Sequence, residues 1–132
     1  MLFTDAGLTF LAERRLATLT TLRADGTPHV TPVGFTWDDE QHLARVITSG
    51  TSVKARNAAR GGPVVLCQFE GRLWLALEGT VAVLADVGAV REAESRYAAR
   101  YRAPRENPRR VALEIVVTRV FGSPELIASR PQ

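Results

Sequence analysis

The chain has 132 residues, 45% hydrophobic and 23% charged, with a formal net charge of +3 and a pI near 9.7. Such a length can bury about two thirds of its unfolded surface as one domain, taken here as residues 1–132, and no apolar run approaches the ~20 residues of a membrane span, so no membrane association is expected. The start Met1-Leu2-Phe3-Thr4-Asp5 lacks the basic and apolar stretches of a secretory signal, which points to the cytoplasm, and a lone Cys67 excludes an internal disulfide.

Thr4-Asp5 followed by Leu8, Leu11 and Ala12 predicts a capped helix ending near Arg14-Arg15. Residues 16–22 and 29–35 are two β-rich runs around the turn Asp25-Gly26-Thr27-Pro28, the signature of a hairpin. Asp38-Asp39-Glu40 turns the chain into a third strand over 42–48, and three acids in a tight turn are expected to be solvated. A short helix over 52–60 stops at Gly61-Gly62-Pro63. Strands over 64–69 and 72–83 form a second hairpin, with Leu73, Leu75 and Leu77 alternating against Trp74, Ala76 and Glu78. Residues 86–102 predict a helix with Val87, Val90, Ala93, Ala98 and Tyr101 inward and Arg91, Glu92, Arg96 and Arg100 in water, before a final strand over 110–121. The order α-β-β-β-α-β-β-α-β describes a mainly β, α+β fold: a six-stranded antiparallel barrel with helices outside it.

Sixteen arginines stand against a single lysine, Lys54, which lies in the hydroxyl-rich segment Thr48-Ser49-Gly50-Thr51-Ser52-Val53-Lys54. A strand running through such a turn into a helix offers backbone N–H donors, hydroxyls and one flexible charge, as an anionic cofactor group requires. A capped, solvated surface helix fits the same residues. Gln41 to Gly62 contains four basic residues and no acid, and Arg96 to Arg110 contains six arginines and one acid, Glu106. The second region suits carboxylates, and it also fits a solvated helix end and loop. His29 and His42 lack partners at metal-ligand spacing, no Gly-x-Ser-x-Gly elbow is present, and Cys67 sits in an apolar run, so neither a metal nor a catalytic side chain is expected. The basic balance alone fits nucleic acid, but the helix-turn-helix, zinc-finger and aromatic-strand patterns are missing, so no nucleic-acid partner is expected and an acidic small molecule leads.

The order of elements, together with Leu19-Thr20-Thr21-Leu22-Arg23-Ala24-Asp25-Gly26-Thr27-Pro28-His29-Val30, Ala44-Arg45-Val46-Ile47-Thr48-Ser49-Gly50, Lys54-Ala55-Arg56-Asn57, Leu77-Glu78-Gly79 and the Arg96 to Arg102 segment, resembles the split β-barrel flavin and deazaflavin oxidoreductases, the group that includes pyridoxamine phosphate oxidase. The resemblance spans nearly the whole chain. It implies a homodimer that binds the 5-deazaflavin coenzyme F420, with FMN as the alternative, between subunits and passes hydride to a conjugated acceptor such as biliverdin or a related tetrapyrrole. It further implies that His29, Val30, Thr31, Pro32 and Val33 line the ring. Thr48, Gly50, Ser52, Lys54 and Asn57 would surround the phosphate and ribityl chain, and Trp74 would approach from the partner. A non-catalytic protein carrying the deazaflavin or a tetrapyrrole is the competing class.

Overall fold

The alternating apolar positions of the strands assemble into one antiparallel sheet in the computed structural model, which describes residues 1–128; residues 129–132 of the expected domain lie outside the described residues. In chain order the elements are α1 (Asp5–Ala12), β1 (Ala17–Leu22), β2 (Pro28–Val33), β3 (Thr36–Asp38), β4 (Leu43–Ser49), α2 (Val53–Ala59), β5 (Pro63–Glu70), β6 (Leu73–Leu84), α3 (Val87–Arg100) and β7 (Arg110–Gly122), followed by a 3-10 turn at Pro124–Leu126. The sheet order is β2-β1-β5-β6-β7-β4-β3, seven strands where six were expected. The additional strand, β3, has three residues, too few to show a period of two in the sequence. It matters because β2 and β3 are the two edges of the sheet, yet they are consecutive in the chain and separated by Gly34-Phe35 alone. The barrel is therefore open, a split barrel whose seam lies at that junction.

The core is filled by the inward faces of the long strands, with Leu19, Leu66, Leu75, Leu77, Leu113 and Ile115 all essentially inaccessible. The face carrying Leu75 and Leu77 is the buried one, as their alternation requires. Strand β7 pairs with β6 on one side and β4 on the other, and the β6 ladder slips between Glu78 and Gly79. A Cβ on Gly79 would lie 2.0 Å from the carbonyl oxygen of Val116, so the bulge can form only with glycine there.

Helix α3 departs from its expected orientation. Val87 is 67% exposed and Ala98 is exposed, while Arg96 and Arg100 turn toward the sheet; of the expected apolar side, only Ala93 is fully buried. The reason is the surface beneath the helix, which presents oxygen atoms: the backbone carbonyls of Glu13 and Phe35, the amide oxygen of Gln68 and the carboxylate of Asp38. Arginine side chains satisfy such a surface and apolar ones do not.

Asp38 is a second correction. It was expected in water, with Asp39 and Glu40, but it is 3% exposed. Its carboxylate accepts from Arg45 Nη1 at 3.0 Å and from Gln41 Nε2 at 3.1 Å, and Arg96 Nη2 stands 3.2 Å away. The backbone N–H groups of Glu40 and Gln41 complete the set. Burial by itself would raise the carboxyl pKa; the hydrogen bonds from Arg45 and Gln41 and the two guanidinium charges outweigh it and hold it below the usual carboxylate value. A depressed native pKa stabilises the fold above about pH 4 and is lost as pH falls through the native value. Asp38→Asn should therefore destabilise by about 3 kcal/mol near pH 7, leaving Arg45 buried without its carboxylate. Urea unfolding repeated down to pH 3 should show that gap from wild type closing.

Candidate functional site

The register of β4 against β7 decides where the charges meet. Thr48 lies opposite Val111 and Ser49 opposite Arg110, so the loop leading into β7 is laid beside the hydroxyl-rich turn that ends β4. The two basic segments, far apart in sequence, thereby face one cleft of about 440 Å3. Strand β2 and the seam contribute Pro32, Val33 and Gly34, and β4 contributes Ile47, Thr48 and Ser49 with Lys54 from α2 beside them. Opposite come Tyr97 of α3 and, from the following loop, Arg102, Pro104, Arg105 and Asn107, with Arg110 at the start of β7. Among the described residues no carboxylate lines this cleft. Arg110 is neutralised from outside by Glu94 at 2.7 Å, which leaves Lys54, Arg102 and Arg105 as the charges facing the space that have no acidic partner among the described residues.

The turn itself is ordered by its own side chains. Thr48 Oγ1 donates to Ser52 Oγ at 3.0 Å, and Ser52 Oγ caps α2 by accepting from the N–H of Ala55 at 3.1 Å. Ser49 and Thr51 hydroxyls lie 3.2 Å apart. Gly50 donates its N–H to the carbonyl of Arg109 at 2.8 Å, and a Cβ there would stand 3.2 Å from the same oxygen. Small residues thus let the turn and the loop approach closely. On the opposite side Gly34 performs the same service: a Cβ would lie 3.0 Å from the Tyr101 ring and 3.1 Å from that of Tyr97.

Of the residues expected at a cofactor, Pro32, Val33, Thr48 and Lys54 line the cleft. Gly50 and Ser52 build the turn behind Thr48 and Ser49. His29, Val30 and Thr31 lie farther back along β2 and do not line it; Val30 is 58% exposed, and His29 Nδ1 is buried with no hydrogen-bond partner among the described residues. Trp74 is also outside the cleft, half exposed opposite Phe69 on the β5–β6 hairpin. Asn57 is buried in the fold, where its Nδ2 donates to Thr21 Oγ1 at 3.0 Å and its Oδ1 accepts from Arg60 at 2.8 Å. Gly34 and Tyr97 were missed by the sequence reading, although a glycine inside the β-rich run 29–35 was a signal of close approach. Because both ends of the Asn57 amide are used inside the protein, Asn57→Ala should cost about 1–3 kcal/mol of stability by leaving the Thr21 hydroxyl unpaired, measured as a shift of the denaturant midpoint.

The family model described as pyridoxamine 5'-phosphate oxidase matches residues 3–123. The F420H(2)-dependent biliverdin reductase of Mycobacterium tuberculosis (strain CDC 1551 / Oshkosh) is 59% identical to the chain over 123 residues, 93% of this chain and 90% of that relative. Among solved structures, an F420 reductase is similar with a TM-score of 0.70 at 23% identity, over 86% of this chain and 94% of that one. A conserved hypothetical protein of Mycobacterium tuberculosis reaches a TM-score of 0.77, also at 23% identity, over 90% of this chain and 83% of its own. At that identity the two structures speak for the fold alone. With the family match running through all seven strands and the open split barrel beneath it, the chain belongs to the pyridoxamine 5'-phosphate oxidase family.

Proposed function

We propose that this protein is an oxidoreductase that uses the reduced deazaflavin coenzyme F420 to reduce a conjugated acceptor, biliverdin or a related tetrapyrrole. The observation that carries this reading is the cleft: about 440 Å3, within the ~300–1,000 Å3 of small-molecule sites, free of lining carboxylates among the described residues and bordered by the chain's one lysine, which opens α2 just after a turn of ordered hydroxyls. The 59% identity to an F420H(2)-dependent biliverdin reductase supports the same cofactor and acceptor class.

The donor set fits a ribityl phosphate. Lys54 supplies a mobile positive charge, and Thr48 and Ser49 supply hydroxyls, while Gly50 and Ser52 hold the turn in place. Pro32 and Val33 give an apolar side for a flat ring, with the rest of β2 behind them. When bound, the reduced coenzyme supplies the hydride. The chain's part is to hold the coenzyme ring against the conjugated acceptor and to surround the acceptor with fixed positive charge, which stabilises negative charge developing during reduction. Among the described residues no histidine, cysteine or carboxylate lines the cleft, and what its lining offers is placement and electrostatics.

Parallel fluorescence titrations with oxidised F420 and with FMN test the cofactor assignment directly. Lys54→Ala should weaken F420 binding by about 1.5–3 kcal/mol, roughly 10- to 150-fold, with an unchanged unfolding midpoint. Unchanged affinity would remove Lys54 from the site, and preferential FMN binding would replace the coenzyme.

We further propose that the protein acts as a homodimer. The outer face of β5, β6 and β7 carries Phe69 opposite Trp74 and Phe121 opposite Ala76, with the three aromatic side chains 42–60% exposed. An aromatic patch of this kind is better covered by a second copy than left in water, and a partner's Trp74 would then be available to the bound ring. Light scattering at micromolar concentration should give twice the chain mass, and Trp74→Arg should shift it toward monomer.

A further inference from the structure

The six arginines between Arg96 and Arg110 are not equivalent once placed in the fold. Arg96 faces Asp38 and Glu92, Arg100 is spent on Glu13, Phe35 and Gln68, Arg110 is paired with Glu94, and Arg109 does not line the cleft. Arg102 and Arg105 remain. Both line the cleft, both are exposed, and neither has an acidic partner within 4.0 Å among the described residues. We propose that Arg102 and Arg105 form a carboxylate-binding pair for the acceptor, distinct from the phosphate locus at Lys54, and that they select acceptors carrying free acid groups. The proposal rests on the cleft taking F420 and a second molecule.

The loop that carries the pair is fixed at both ends. Tyr101 hydroxyl donates to the carbonyl of Arg15 at 2.6 Å and accepts from the N–H of Phe35 at 3.2 Å, while Asn107 Oδ1 accepts from the N–H of Arg109 at 3.0 Å. Pro104 stiffens the stretch between. Two guanidinium groups on a tethered loop give up less freedom on binding than two on a loose one, and guanidinium is the cation whose donor geometry matches a carboxylate in a bidentate pair. Arg102 also borders a second hollow, about 320 Å3, shared with Arg14, Leu16 and Tyr101. Leu16 precedes β1, whose Ala17 pairs with Val33, so Arg102 belongs to the β2 side of the cleft. Lys54 belongs to the β4–α2 side. In F420 the phosphate stands between the ring and the glutamate tail, so with the phosphate at Lys54 and the ring along β2 the tail would extend away from Arg102, and carboxylates reaching Arg102 would come from the acceptor.

The test is equilibrium titration of biliverdin and of biliverdin dimethyl ester into protein saturated with oxidised F420. Wild type should bind the diacid about tenfold or more tightly than the ester, the Arg102→Gln, Arg105→Gln double variant should lose that preference, and the Arg102→Lys, Arg105→Lys double variant should recover part of it. Affinity for F420, measured separately, should move less than twofold. Persistence of the diacid preference in the glutamine variant overturns the proposal, as does an equal loss of F420 affinity, which would assign the pair to the coenzyme tail. Wild-type protein that fails to bind F420 at all overturns the functional reading and the proposal together, a result distinct from losing the ester discrimination alone.

Discussion

Arg100 holds the open side of the barrel together. Its Nε donates to the carbonyl of Glu13 at 2.8 Å, Nη1 to the carbonyl of Phe35 and Nη2 to Gln68 Oε1 at 2.7 Å, and its guanidinium lies 4.8 Å and 5.0 Å from the ring centres of Phe35 and Tyr101. Gln68 passes the connection on by donating to the carbonyl of Phe10 at 2.7 Å. One side chain therefore joins the end of α1, the β2–β3 seam, β5 and α3. Burial lowers its pKa, the Tyr101 and Glu13 side chains oppose that shift, and every acceptor it hydrogen-bonds is neutral, so the charge is held largely by hydrogen bonds and aromatic faces. An open barrel leaves edge carbonyls that no neighbouring strand can satisfy, and here an arginine fork does so. The position of α3 follows from that anchoring, and so does the position of the loop that completes the cleft.

What was legible in the sequence was local. The Asp25-Gly26 turn formed its hairpin, and Thr4, Ser52 and Asp86 cap their helices by accepting from Gly7, Ala55 and Ala89. The long alternation in β6 and β7 identified core residues because period and burial coincide there. The failures were of another kind. Strand β3 owes its existence to pairing with β4, and the inward face of α3 is set by oxygen atoms contributed from four separate segments. Asp38 looks like any acid in a turn until Arg45, flanked by Thr36 and Glu114 on neighbouring strands, is buried beside it. Each is fixed by partners distant in sequence, which propensity and spacing cannot report. The cleft shows the same limit: both basic segments were visible, but their meeting depends on the β4–β7 register.

Charge in this protein is sorted by depth. The buried Arg45 and the part-buried Arg100 have structural partners, and the carboxylates of Glu94 and Asp38 are engaged by Arg110 and by Arg45 and Arg96. The result is a cavity with a net positive lining on a chain whose overall excess is small, +3. Such an arrangement draws anions to one place while the rest of the surface stays near neutrality.

Lysine's rarity has a practical side. Lys54 carries the sole side-chain amine of the chain, and it lies in the cleft. Apart from the chain's α-amine, an acylating reagent has one place to react, so occupancy of the cleft becomes readable as protection of a single mass increment in the intact protein. The arginine-rich surface, unreactive to the same reagent, acts as a silent background, and a footprint that would be crowded in an ordinary lysine-bearing protein reduces here to one bit of information.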